Sequence, residues 1–99
     1  VPVYRSHSIS VTAQFEQPVD LEKARQAYEG KPGVALMDNP AEGLWPTPLD
    51  STNGDTCYVG RMRRDMAVDN ALALWVVGDQ VRKGAALNAV QIAELLINR

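Results

Sequence analysis

The 99-residue sequence is poor in the residues that build metal, disulfide and membrane structures. It has one cysteine, Cys57, so no disulfide can form within the chain and nothing points to an oxidising compartment. It has one histidine, His7, with no second Cys or His to complete a zinc set, and its acidic residues do not follow calcium-loop spacing. A dedicated metal site is therefore not expected. No apolar run approaches the roughly 20 residues that cross a bilayer, and no signal-peptide pattern is present. Charge of neither sign dominates: the formal net charge is −2 and the pI is about 5.2, which argues against a general nucleic-acid surface. What remains is an ordinary globular composition, 45% hydrophobic, suited to one domain with a real but modest core.

The chain opens on Val1-Pro2-Val3, without a methionine, and runs straight into strand-like sequence, so it is expected to be a piece of a longer polypeptide. Val1, Val3, Ile9, Val11, Ala13 and Phe15 share one parity, and Ser6, Ser8, Ser10, Thr12, Gln14 and Glu16 the other. This alternation predicts a strand over residues 1–16 with one apolar face. His7 has the parity of Ile9 and Val11, which aims its ring to the apolar side. Asp20 reads as the N-cap of a helix carrying Leu21, Ala24 and Tyr28, with Gly30 as its stop. A brief strand follows over residues 34–37.

Residues 38–56 are rich in Pro, Gly, Asn, Asp and Thr and predict a long loop, either functional or a packed surface connection anchored by Trp45. Residues 57–64 read as a strand with Tyr58 and Met62 on one face, and residues 71–77, ALALWVV, as a strand covered on both faces. The last segment, GDQVRKGAALNAVQIAELL, predicts a helix capped by Gly78 or Asp79. Its stripe of Ala85, Ala89, Ile92 and Leu96 is expected to face the core. The order of elements implies an α+β fold with a mixed, largely antiparallel sheet and helices packed on one face.

Three features bear on chemistry. Arg82 and Lys83 stand where a helix N-terminus disfavours cations, and Gly84 costs helix stability relative to alanine. Either the pair is simply solvated, or an anion or cofactor lies nearby and Gly84 permits close backbone approach. His7 is either a structural residue or a general acid/base, imidazole being the side-chain type suited to proton transfer near neutral pH. Cys57 has neither an adjoining helix N-terminus nor a paired histidine to activate it and is read as packing.

Three stretches resemble a known family. VPVYRSHSISV is similar to the aspartate-semialdehyde dehydrogenase signature in which Arg-Val-Pro-Val leads to Gly-His-Ser. GRMRRD with LALWVVGDQVRKGAALNAVQIAELL resembles that family's C-terminal end, and PTPLDSTNGD its proline-rich loop. The resemblance runs from Val1 to about Ile97. It implies the C-terminal portion of the catalytic and dimerising domain, a glyceraldehyde-3-phosphate-dehydrogenase-like fold left incomplete, with the N-terminal nucleotide-binding domain outside residues 1–99. The implied reaction is the NADPH-dependent reductive dephosphorylation of L-aspartyl 4-phosphate to L-aspartate 4-semialdehyde through a cysteine thioester. The implied setting is a cytoplasmic homodimer on the route to lysine, threonine, methionine and diaminopimelate.

By the same resemblance His7 takes the place of the acid/base histidine, and Gln80 that of a residue contacting NADP. The family's nucleophilic cysteine belongs to an upstream Asn-Cys motif that Cys57 does not match. The substrate-binding arginine would directly precede Val1, so this stretch by itself is expected to be inactive. Ser6 stands where the family has glycine. The alternatives are a fragment of N-acetyl-glutamyl-phosphate reductase, a sibling with the same acyl-phosphate chemistry, or a dimerisation module without catalysis.

Overall fold

The computed structural model describes residues 1–98. Four strands form one sheet: β1 (His7–Gln14), β2 (Val34–Leu36), β3 (Cys57–Arg64) and β4 (Ala71–Gly78), in the spatial order β1-β4-β3-β2. Pairing is antiparallel except between β2 and β3. The α+β class and the mixed, largely antiparallel sheet are as the sequence order implies. β4 lies between β1 and β3, which accounts for its apolar residues on both parities. Ala71, Leu72 and Val77 are buried, and with Val59 and Met62 they make the core. No helix among the described residues is long and apolar enough to cross a membrane.

Helix α1 (Leu21–Tyr28) starts where expected, with Asp20 Oδ1 accepting from the Glu22 and Lys23 amides at 2.9 and 3.2 Å. These two N–H groups, Lys23 first, hold the Asp20 carboxyl below the usual carboxylate range. The helix lies over the sheet face that carries Val11, Ala13, Leu72, Leu74 and Met62.

The first strand is shorter than its alternation predicts. It begins at His7, because Pro2 has no N–H to give a ladder and Ser6 adopts a left-handed backbone with φ 77°. Strand β3 also departs from simple alternation. The register with β4 slips by one residue between Gly60 and Arg63, and Arg61 occupies the left-handed region with φ 54°. This bulge puts Met62 in phase with Val59, each only 3% exposed, so Tyr58 and Met62 lie on opposite faces. Buried Asp38 holds the bulge: its two oxygens accept from the Arg61 and Met62 amides, both at 3.0 Å, and Oδ2 pairs with Arg25 Nη2 of α1 at 2.9 Å.

Residues 38–56 contain more structure than a proline-rich loop suggests. A 3₁₀ turn (Pro40–Glu42) and the one-turn helix α2 (Pro48–Ser51) interrupt them, the latter with a Thr47/Asp50 capping box. The anchor is Pro46 rather than Trp45, which is 47% exposed. The Pro46 ring is fully buried over Gly60, and its carbonyl accepts from Trp75 Nε1 at 3.0 Å. Gly60 pairs with Trp75, on the sheet face opposite to α1.

The final segment departs furthest. It opens as a π-helical turn (Arg82–Ala86) and continues as α3 (Leu87–Ile97). No residue of α3 is buried, and Ile92 and Leu96 of the expected core stripe are 51% and 60% exposed. The side that leans on the domain is instead Lys83, Leu87 and Gln91, all half-buried at helical spacing. Lys83 arches over Gly33 and donates through Nζ to Asn88 Oδ1 and Gln91 Oε1. The apolar side of this helix has nothing to pack against among residues 1–98.

Candidate functional site

The start of β1 and the end of β4 meet, because His7 pairs with Gly78 in the antiparallel register. Two residues beyond Gly78, the chain reaches Gln80. His7 and Gln80 line one cleft of about 410 Å³, together with Val3, Tyr4, Arg5 and Ser8. His7 is exposed to this cleft. The apolar parity that carries it loses its cover toward this end of the strand: Val11 is half-buried beneath α1, whereas Ile9 is 52% exposed. The ring therefore stands in an open hollow and not among hydrocarbon. Cys57 is a free, half-buried thiol whose Sγ leans over Gly78, the residue between it and His7 in the sheet.

Asp79, wholly buried, organises the floor of the site. Its Oδ2 accepts from the Asn53 amide at 2.8 Å and pairs with Arg5 Nε at 3.1 Å; its Oδ1 accepts from the Val81 amide at 3.0 Å. Burial pushes this carboxyl up, but the Asn53 and Val81 amides and the Arg5 charge outweigh it, and the group titrates below the usual carboxylate range. The Asp79 carbonyl also accepts from the Arg82 and Gly84 amides, closing the π turn. In the sequence Asp79 stands only as a possible helix cap. Its aspartate-before-helix context was the available signal, but the partners Arg5 and Asn53 are 74 and 26 residues away and carry no local mark.

Ser6 is buried, and its hydroxyl lies 3.0 Å from Thr52 Oγ1. The left-handed backbone at Ser6 is one that glycine adopts freely and other residues at a cost of about 1 kcal/mol. Glycine at this position would adopt the same backbone without strain. The serine here offsets part of the cost through Thr52.

The two cations ahead of α3 have partners within the chain. Arg82 Nε forms an ion pair with Asp55 Oδ1, which holds the Asp55 carboxyl low. Lys83 is held by Asn88 and Gln91. Asp55 thus supplies a carboxylate beside Arg82, while Lys83 is held by neutral amides. Within the chain, a Cβ at Gly84 would meet only ordinary contacts at 3.6 and 3.7 Å.

Three buried polar atoms of cleft residues lack a hydrogen-bond partner among the described residues: Arg5 Nε, Ser8 Oγ and Gln80 Oε1. The orphan amide of Gln80 costs free energy unless something outside these residues satisfies it, and an amide both donates and accepts, as recognition of a carboxamide or ribose hydroxyl requires. The residues present thus fit a nicotinamide nucleotide at this edge of the cleft.

Comparison with known proteins agrees with this architecture. Residues 1–83 match the family model described as semialdehyde dehydrogenase, dimerisation domain. The aspartate-semialdehyde dehydrogenase of Synechocystis sp. is 50% identical over 99 residues, covering 100% of this chain and 29% of that protein. That of Prochlorococcus marinus is 46% identical over the same span, again 29% of its length. Among solved structures, aspartate semialdehyde dehydrogenase II from Vibrio cholerae superposes with a TM-score of 0.85 at 40% identity, covering 99% of this chain and 29% of that one. The same enzyme has been solved complexed with ASA. The chain spans less than a third of the length of the relatives it matches. With the same fold, the same order of elements and a match over residues 1–83, it belongs to the semialdehyde dehydrogenase family, within that family's dimerisation domain.

Proposed function

We propose that the chain is the C-terminal portion of an aspartate-semialdehyde dehydrogenase. The whole protein would catalyse NADPH-dependent reductive dephosphorylation of L-aspartyl 4-phosphate to L-aspartate 4-semialdehyde. The chain contributes His7 as acid/base, Gln80 as a contact to NADP, and a surface for a homodimer in the cytoplasm. The observation that carries this reading is the shared cleft: two residues 73 positions apart line one hollow, one exposed to it and the other holding an unpartnered buried oxygen.

In this reading His7 Nδ1 or Nε2 takes the proton of a thiol that upstream sequence brings to the cleft, and returns it to the leaving thiolate when the C–S bond of the tetrahedral adduct breaks to free the aldehyde. A positioned imidazole contributes about 10²–10⁴-fold to such a step. The cofactor, when bound, supplies the hydride exchanged at the acyl carbon. Gln80 orients it through the free side of its amide. Cys57 takes no part, since the thioester needs a cysteine from the upstream Asn-Cys motif.

The test is the full-length protein assayed for phosphate-dependent oxidation of L-aspartate 4-semialdehyde with NADP, beside N-acetyl-glutamate 5-semialdehyde. Turnover of the aspartate aldehyde, lowered about 10²-fold or more in His7→Gln, is the expected result. Turnover only of the acetylated aldehyde assigns the sibling reductase. Dimers by sedimentation without turnover of either aldehyde leave a non-catalytic dimerisation module.

A further inference from the structure

The cleft residues are separated in sequence, and their mutual placement depends on groups that do not themselves line a reaction path. Asp79 is the centre of these groups. It is fully buried between Gly78, the register partner of His7, and Gln80. Through Oδ2 it accepts from the Asn53 amide and forms an ion pair, outside hydrogen-bond geometry, with Arg5, two residues before His7; through Oδ1 it accepts from the Val81 amide just after Gln80. The turn that supplies Asn53 also supplies Thr52, whose hydroxyl meets Ser6, the residue between Arg5 and His7. Three chain segments thus converge on one carboxylate: the lead into β1, the turn after α2, and the start of the last helix.

We infer that Asp79 is a positioning residue that holds His7 and Gln80 in register with each other, acting through Arg5 on one and through the backbone of the π turn on the other. Two features separate this from simple helix capping. A cap needs only one oxygen toward the first-turn amides, and Oδ1 already serves Val81, so Oδ2 is spent on Arg5 and Asn53, which lie outside the helix. The ion pair also leaves the Arg5 side chain 38% exposed, between the hollow that His7 and Gln80 share and the cleft beside Val81 and Arg82. Without Asp79 that guanidinium has no tether.

The inference rests on the proposed roles of His7 and Gln80, so the experiment carries both. In the full-length enzyme, Asp79→Asn, Arg5→Gln, His7→Gln and Gln80→Ala are compared at a temperature where circular dichroism shows each folded. His7→Gln is expected to lower kcat, and Gln80→Ala to raise KM for NADP. Asp79→Asn is expected to do both at once, with kcat/KM down about 10- to 100-fold, as a displacement near 1 Å produces. Arg5→Gln should move the same two constants in the same direction by less. If His7→Gln and Gln80→Ala leave kinetics unchanged, the site reading itself falls. If they act as expected while Asp79→Asn lowers only the melting temperature, with kcat and KM of the folded fraction intact, the positioning role is overturned. If Asp79→Asn does not fold, Arg5→Gln decides: a joint change in kcat and KM supports the role, and unaltered constants overturn it.

Discussion

Replacing Gly60 by alanine tests how the proline-rich segment is fastened to the sheet. Gly60 has no left-handed backbone requirement, so the substitution is free of φ strain. In a strand interior, alanine should in fact be preferred over glycine by about 0.5–1 kcal/mol. The tertiary structure reverses that sign. A Cβ at position 60 would lie 2.3 Å from Pro46 Cδ and 2.6 Å from the Met37 carbonyl oxygen, against a comfortable carbon contact of about 3.5–4 Å. Neither neighbour is the free end of a flexible side chain. Pro46 must lift by about 1 Å, at a cost of about 1–3 kcal/mol for overpacking. The lift also breaks the 3.0 Å bond from Trp75 Nε1 to the Pro46 carbonyl, which contributes about 1 kcal/mol. After the strand preference is set against these terms, the net loss is about 2 kcal/mol, or about 10 °C in melting temperature for a unit of this size. Trp75 emission in a Trp45→Phe background reports the loop directly, because its indole loses a fixed partner. A Gly60→Ala protein with unchanged melting temperature and unchanged emission would refute the argument that Pro46 is the anchor.

Three further outcomes follow from the same structure. Asp38→Ala leaves the Arg61 and Met62 amides without their acceptor and removes one partner of Arg25, which keeps the Met62 carbonyl and Glu22, and should cost about 1–3 kcal/mol in denaturant unfolding. Arg61→Gly removes the left-handed strain at the bulge and should raise stability by about 1 kcal/mol, because Arg61 is exposed and contributes its backbone N–H, which glycine retains. The carboxyls of Asp20, Asp65 and Asp79 all titrate below the ordinary value of 3.8 in the folded chain, so each binds its proton more readily when unfolded. Their stabilisation is therefore complete above the unfolded value and is lost as pH falls through the lower folded values. Melting temperature should be flat in this respect at neutral pH and should drop below about pH 4, less steeply in Asp65→Asn, where the Ala67 and Val68 amides lose a charged acceptor.

Helix α1 follows from Asp20 and the spacing of Leu21, Ala24 and Tyr28, because capping and helical periodicity act within a few residues. Strands β3 and β4 follow from composition and alternation in the same way. The misreadings share a cause. Tyr58 and Met62 were placed on one face because alternation carries no mark of a bulge, which here depends on Asp38 from another segment. Trp45 looked like the anchor because it is the large apolar residue of its loop, yet the buried ring is Pro46, chosen by the space above Gly60. The apolar stripe of α3 was assigned to the core on periodicity alone, but periodicity gives a face without naming what covers it. Residues 1–98 offer that face no cover.

The site divides in the same manner. The types of residue present, one histidine on a strand and a glutamine ahead of a helix, were open to inspection, and the motifs around them pointed to the family. Their convergence was not, since 73 positions of chain lie between His7 and Gln80. The antiparallel register of β1 with β4 brings His7 opposite Gly78, and a buried aspartate ties the two ends.

The sequence by itself determined the elements, their order and the chemical kinds of group available, since propensity, capping and alternation are short-range effects. Only the tertiary structure decided the bulge, the seat of Pro46, the side on which α3 rests and the cleft shared by His7 and Gln80. Those depend on contacts between distant segments, where sterics and buried charge select one arrangement among many that local preference leaves equal.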